Sequence, residues 1–277
     1  MLLNGTLFNS EAWQGISQAE IDMLEKVDED LMRGLLQAHS KIPTEALFLE
    51  IGTIPIRYTL KSRRLSYLHT ILSKDSDELI KEVYEAQKND PIKGDFYQLI
   101  MEDFNEVGLS LTETEITSMK KEHYQKNVKV KVRQAALRYL KENQQRHSKV
   151  RDIKYPKFEL SQYMESPLFD SRNIQTLLAL RTRTVRGIRN DFSGMYDDLT
   201  CPLGCGDQDT LPNILTCSVL KDKLKTDTVA TNHISYDDIF SSNDGKQKQV
   251  TELYSHLLGI REELLKSQPV ALTGPVH

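Results

Sequence analysis

Ser17-Gln18-Ala19-Glu20-Ile21 opens a stretch, carried on by Leu24, Leu31 and Leu35, whose reading sets the architecture. A serine followed three residues later by glutamate forms a capping box, each side chain satisfying the other residue's backbone N–H at a helix start. The apolar residues behind it recur at helical rather than alternating spacing, so they line one helix face. The pattern repeats outward. Pro55 suits the first turn of a helix that continues through Leu60, Tyr67, Leu68 and Ile71. Ser76 is placed to cap a third, with Leu79, Ile80 and Val83 on its apolar face and Asn89-Asp90-Pro91 as its stop. Phe96, Leu99, Ile100 and Val107 make a fourth, closed by Gly108.

Thr112 to Asn143 reads as one long helix or a helix pair, with Val128, Val132, Ala135 and Tyr139 inside. Residues 147–168, with Pro156 and Pro167, read as an ordered but irregular connector. Ile174, Leu177, Leu178 and Arg181 start another helix that Gly187 ends. The last helix runs from Lys246 to Lys266 with Val250, Leu253, Leu257 and Leu264 apolar, and residues 267–277 read as a frayed tail. Strand signals are poor throughout. The expected fold is mainly α: several short helices in two or three loosely packed parts, with a small cysteine-containing knuckle-like loop.

Length and composition allow a real core. Of 277 residues 39% are hydrophobic and 27% charged, which is not the composition of a disordered chain. No apolar run approaches the roughly 18 residues that span a bilayer, and polar Asn4 and Gly5 follow Met1-Leu2-Leu3 at once, so no signal peptide is visible. Asn4-Gly5-Thr6 matches a glycosylation acceptor, but lacks that secretory context. All three cysteines lie between positions 201 and 217, which argues against a disulfide framework and for a reducing compartment, the cytoplasm or nucleus.

The net charge of −4 hides a strong segregation. Residues 1–118 carry 11 Lys/Arg against 21 Asp/Glu, residues 119–190 carry 18 against 6, and residues 191–277 carry 7 against 13. The blocks are thus −10, +12 and −6, a statement about partners rather than fold. They suggest three parts: an acidic helical part over 1–110, a basic helical part over 111–190, and a cysteine-bearing segment with a C-terminal helix over 191–277.

Two basic patterns are candidates for phosphate contact. Eleven cations between Lys120 and Arg151, among them Lys126, Lys129, Lys131 and Arg133, share a 32-residue run with only Glu122 and Glu142 as acids. They cannot all share one helix face, so part of the run is solvated surface. In the helix after Pro55, Arg57, Lys61 and Arg64 fall at i, i+4 and i+7, a stripe suited to tracking phosphates. Contacts of this kind supply affinity and salt dependence but little sequence specificity. His39, His69 and His123 are isolated and read as surface or core residues.

Cys201-Pro202-Leu203-Gly204-Cys205-Gly206 has the form of a zinc knuckle, two thiolates from a tight turn, and Cys217 supplies a third. The competing reading packs the cysteines as small hydrophobes. A structural ion there would pin a loop that orients Arg181, Arg183, Arg186 and Arg189 towards nucleic acid. No P-loop, serine-nucleophile motif or HExxH pair is present, so no catalytic site is legible and no small-molecule substrate is implied.

An ordered series of segments resembles the region that follows the polymerase domain in animal non-LTR retrotransposon reverse transcriptases. Leu2-Asn4-Gly5-Thr6-Leu7-Phe8 with Glu11-Ala12-Trp13 is similar to that family's LNG.LF..EAW segment. Leu47-Phe48-Leu49-Glu50-Ile51-Gly52-Thr53-Ile54-Pro55-Ile56-Arg57 resembles its LxLExGxxPIR, and Arg63-Arg64-Leu65-Ser66-Tyr67-Leu68 its RRxxYL. Val83 to Lys88, Lys93 to Phe96, Ser166-Pro167-Leu168-Phe169, Leu180-Arg181-Thr182-Arg183 and Cys201 through Cys217 follow in the expected order. The resemblance covers residues 1–265. No single piece is specific; the series is.

It implies a truncated copy or fragment that starts downstream of the polymerase palm, a thumb- or connection-like first part, and a non-catalytic role. The chain would bind and position template RNA or an RNA–DNA hybrid beside the polymerase region of a parent polyprotein. In the family the knuckle is completed by a histidine; here Asn213 stands at that position, and a neutral amide is a poor zinc ligand. His233 or water would have to complete the set. Tyr196-Asp197-Asp198 resembles the polymerase Tyr/Phe-x-Asp-Asp turn but lacks the spacer, and reads as a solvated turn before the cysteines. The rival class is a helical structural or scaffold remnant that binds no nucleic acid, and a third is a polymerase or nuclease with an unfamiliar active site.

Overall fold

The computed structural model describes residues 7–13, 15–150, 153–155, 158–189, 195–224 and 234–267. Expectations resting on Asn4-Gly5-Thr6, Arg151, Pro156, Ser193-Gly194, His233 and the tail beyond Ser267 lie outside these residues. Among the described residues there are twelve α-helices and no strand. One isolated antiparallel bridge joins Thr200 and Gln208. The helices are α1 (Gln18–Leu36), α2 (Thr44–Ile51), α3 (Ile56–Leu72), α4 (Leu79–Asn89), α5 (Phe96–Val107), α6 (Glu113–Ser118), α7 (Lys121–Gln144), α8 (Gln162–Glu165), α9 (Ser171–Arg181), α10 (Leu211–Thr216), α11 (Ser218–Leu224) and α12 (Asp244–Ser267). Short 3-10 turns cover Ser10–Ala12 and Tyr236–Phe240. No described helix is long and apolar enough to cross a membrane.

The local signals act as expected. At α1 the Ser17 N–H donates to Glu20 Oε2 at 2.7 Å and the Glu20 N–H to Ser17 Oγ at 3.3 Å. Asp95 caps α5 by accepting the Gln98 N–H, and Gly108 ends it at φ +66°, a left-handed turn that glycine adopts without a Cβ penalty. The Thr112–Asn143 stretch is a helix pair: Thr112 and Glu115 cap α6, and extended Met119 separates it from α7.

Two expectations are corrected. Ser76 caps nothing; Glu78 stands at the N-cap of α4 without a side-chain cap. Leu79 and Val83 face solvent, and α4 buries Tyr84 instead. Ile80 and Tyr84 form an i, i+4 stripe directly beside Leu79 and Val83. The Tyr84 hydroxyl donating to Glu113 at 2.9 Å selects the stripe that goes inward. The second correction concerns Gly187, which does not end α9. The helix closes at Thr182, with Arg183 at φ +51° in the left-handed position glycine usually fills.

Contacts divide the chain into two compact units whose borders differ from the three charge blocks. The first comprises Met1–Met32, Ile51–Gln144 and Lys157–Glu159; the second Arg33–Glu50, Gln145–Pro156 and Leu160–His277. Charge blocks report surface, whereas packing follows apolar faces, so basic α7 packs along α3 and α5 of the acidic part. That core gathers Tyr58, Leu65 and Leu68 of α3, Ile100 and Phe104 of α5, and Tyr124, Val128 and Val132 of α7. Gly52 is required there: at φ +69°, an added Cβ would sit 2.1 Å from the Glu159 carbonyl carbon.

The second unit packs α9, α10, α11 and α12 around Leu177, Leu180, Ile214, Leu220, Val250 and Tyr254. Of the described connector residues, Val150, Ile153 and Tyr155 are buried.

Asp28 of α1 is a buried carboxyl in the first unit. It is 5% exposed and makes no ion pair or hydrogen bond with the described residues, and burial, then Glu25, push its pKa up to about 6. A carboxyl whose folded pKa exceeds its unfolded one weakens the fold where it is ionised, above the folded value. That cost is recovered as pH falls from about 6 towards 4. Asp28→Asn is expected to stabilise by about 2 kcal/mol at pH 7.5, with the gain shrinking through that window in urea titrations. A gain independent of pH would refute the account.

Candidate functional site

Helix α7 is built as an amphipathic bar. Tyr124, Val128, Val132, Ala135, Ala136 and Leu140 are buried, and the Tyr124 hydroxyl donates to the Leu65 carbonyl at 2.9 Å. Lys126, Lys129, Arg133 and Lys141 are all exposed outside that stripe, at i, i+3, i+7 and i+15. At 1.5 Å rise per residue this ridge extends about 22 Å. Lys126, Lys129 and Lys141 make no ion pair or hydrogen bond with the described residues, nor do half-buried Lys131 and exposed Arg138 on the flank. Arg133 differs. Its guanidinium donates to the Phe158 and Gly52 carbonyls and lies 4.8 Å from the Phe158 ring centroid, so it holds the Gly52 turn in place. Lys141 and Arg138 both belong to the eleven-cation run between Lys120 and Arg151.

The α3 stripe is corrected. Arg57 pairs with Glu25 and sits 5.2 Å from the Tyr139 ring centroid, and the Glu25 hydrogen bond holds its pKa above the usual value. Lys61 Nζ lies 3.1 Å from Asp103 and 2.8 Å from Glu106. Arg64 is buried, with Nε 2.9 Å and Nη2 3.1 Å from the two Asp103 oxygens. Three cations at phosphate-tracking spacing are thus an internal ion-pair ladder with acids of α1 and α5. Arg63 beside them donates to Leu7 O and Ser10 Oγ, tying down the Leu7–Ala12 turn.

Arg181 is corrected in the same sense. It is buried, and its Nε donates to Glu50 Oε1 at 2.7 Å and its Nη1 to the Ile239 carbonyl at 3.1 Å. Burial opposes the Arg181 charge, and the Glu50 carboxylate outweighs it. Glu50 is fully buried and also accepts from Tyr155 Oη at 3.0 Å, Ser161 Oγ at 2.5 Å and Tyr163 Oη at 3.1 Å. Arg189 pairs with Asp198 at 3.1 Å, while its N–H donates to Asp209 at 2.7 Å. In exposed Arg183 and Arg186 alone of this group the guanidinium makes no hydrogen bond or ion pair with the described residues, while the Arg183 N–H donates to the Leu180 carbonyl at 3.3 Å.

The cysteines converge. The three Sγ atoms lie within 4.8 Å of one another, a group that could hold a metal ion. Cys201 and Cys217 are buried and Cys205 is half-buried. The knuckle turn aims backbone N–H groups at sulfur, Leu203 to Cys201 and Asp207 to Cys205. Burial pushes the Cys201 thiol up to about 11. Burial acts on Cys205 too, but the Asp207 N–H, the Asn213 amide and the neighbouring thiols outweigh it and hold that thiol below its usual value. Asn213 takes the place expected for histidine, with Nδ2 3.6 Å from Cys205 Sγ, as a donor to sulfur rather than a ligand to the centre. Three thiols are thus brought together at one point. Asp209, between Cys205 and Cys217, binds both the Arg189 N–H and the buried Arg261 Nη2, at 2.7 Å each, which links the cysteine loop to the Arg189 segment.

Tyr196-Asp197-Asp198 enters this loop as a turn. Asp198 accepts the Thr200 N–H at 2.8 Å and its hydroxyl at 2.7 Å, and these bonds hold its carboxyl below the usual range. In comparisons of the chain with protein-family models, with curated proteins and with solved structures, nothing matched.

Proposed function

We propose that this chain is a non-catalytic nucleic-acid-binding region derived from a non-LTR retrotransposon reverse transcriptase, with the solvent face of α7 as its phosphate-contacting surface. The observation that supports it is the ridge of Lys126, Lys129 and Lys141, uncompensated in a chain where the Arg57–Lys61–Arg64 stripe is neutralised. Cations left without partners on one helix face bind a polyanion by displacing its counterions, with little sequence preference. The partners would be RNA or an RNA–DNA hybrid, beside the polymerase region of a parent polyprotein. In the same reading Cys201, Cys205 and Cys217 hold a structural zinc ion, with water or another side chain in the fourth position. Zinc would pin the loop that carries Asp209 and, through it, Arg189.

Fluorescence anisotropy with short RNA, DNA and hybrid duplexes across a salt series tests the proposal. Non-specific binding in the micromolar range is expected, weakening steeply with salt. The triple variant Lys126→Glu/Lys129→Glu/Lys141→Glu should reduce the log–log salt slope by about 2–3. Lys61→Ala should leave it unchanged. Binding that ignores salt, or survives the triple variant, would favour a helical scaffold remnant without a nucleic-acid role.

A further inference from the structure

The second unit carries a cleft of about 490 Å³ that the α7 face does not involve. Its walls come from Gln37 to Ile42, just after α1, from one side of α9, from Thr184 to Arg186, and from Leu258 of α12. Volumes of this order accommodate a drug-sized or mononucleotide-sized ligand.

Among the described residues not one carboxylate lines the cleft, in a chain with 40 Asp and Glu. Its charged member is Arg186, exposed and without a hydrogen bond or ion pair to the described residues. His39 stands in the opposite wall. Its Nδ1 accepts the Lys41 N–H at 3.0 Å, which places the proton of the neutral ring on Nε2, a donor with no partner among the described residues. Burial and then Arg186, Lys41, Lys149 and Arg33 depress the His39 pKa, so four cations bear on one imidazole. A positive field at a donor-lined cleft favours a bound anion.

The wall is also prebuilt. Arg33 donates to the His39 carbonyl at 3.0 Å, the Ile42 carbonyl at 2.6 Å and Thr44 Oγ1 at 3.3 Å. Gln37, at φ +47°, closes α1 in a left-handed turn, with the Ala38 N–H on the Arg33 carbonyl at 2.9 Å. A second cleft of about 580 Å³ makes the contrast: Asp170, Glu252 and Glu263 line it alongside Arg172.

We propose that the cleft between Gln37–Ile42 and α9 binds a phosphate-bearing ligand of mononucleotide size, with Arg186 supplying the charge and His39 Nε2, Ser40 and Thr176 the neutral donors. The phosphate belongs either to a free nucleotide or to the end of a strand, and the site stands whether or not the α7 face binds nucleic acid.

NMR of the 277-residue chain, following the His39 ring resonances, tests it with adenosine monophosphate, adenosine, and a tetranucleotide with and without a 5′-phosphate. Saturable shifts with adenosine monophosphate and none with adenosine are expected. Arg186→Glu should weaken binding at least tenfold, and Arg172→Glu in the other cleft should leave it unchanged. A stronger response to the 5′-phosphorylated tetranucleotide than to the monophosphate assigns the strand end, and the reverse assigns the free nucleotide. Equal shifts with adenosine, no shift with any phosphate, or full binding by Arg186→Glu overturns the proposal. Repeating the titration on the Lys126→Glu/Lys129→Glu/Lys141→Glu protein separates this site from the α7 face, since its shifts should persist there.

Discussion

Glu50→Ala is expected to destabilise the protein by about 3–5 kcal/mol, the cost of stranding one member of a buried ion pair. Arg181 would keep its place, 7% exposed, with the Ile239 carbonyl, the Tyr155 hydroxyl and the faces of Tyr163 and Phe240 around its charge. The hydroxyls of Tyr155, Ser161 and Tyr163 would lose their acceptor at the same moment. Each unsatisfied buried donor adds a penalty of order 1 kcal/mol. A fall in Tm of roughly 10 °C follows for a domain of this size. Adding Arg181→Met removes the stranded charge and should recover part of the loss, since an uncharged replacement of a buried pair is often tolerated. A Glu50→Ala protein within 1 kcal/mol of the parent would show that the cluster carries little of the fold's stability.

The second large effect concerns the knuckle. Asn213→His should raise zinc affinity on the order of 100-fold, read by chelator competition on anaerobically purified protein. Structural four-ligand zinc sites hold about 10–16 kcal/mol, or about 3 kcal/mol per ligand, and each 1.4 kcal/mol is tenfold. The substitution is placed to work because Asn213 already sits at the site, with its amide 3.6 Å from Cys205 Sγ. The parent protein should bind more weakly, through Cys201, Cys205 and Cys217 with an exchangeable fourth ligand. Equal and substoichiometric zinc in both proteins would remove the metal from the account and leave three cysteines packed in the apolar core of the second unit.

Polar residues of the quoted segments are spent inside the fold. Leu47 to Arg57 reads as a motif, and its polar members prove structural: Glu50 receives Arg181, Gly52 lets the chain pass Glu159, and Arg57 meets Glu25. Arg63-Arg64 is likewise given to Leu7 and Asp103. In this chain, then, those residues serve its own packing rather than a ligand.

What the amino-acid sequence determined by itself is local. Helix caps and apolar periods act within about four residues, so Ser17–Glu20, Thr112–Glu115, Gly108 and the helices they bound were legible one by one. The cysteine spacing likewise sufficed to bring three sulfurs together. Only the tertiary structure decided which charges remain for a partner. The acid that neutralises Arg64 lies 39 residues away and the one that neutralises Arg181 lies 131 away, and no local rule links them. A basic stripe and a basic face look alike until folding brings acids to one and leaves the other in water. In this protein the acids came to α3 and not to α7.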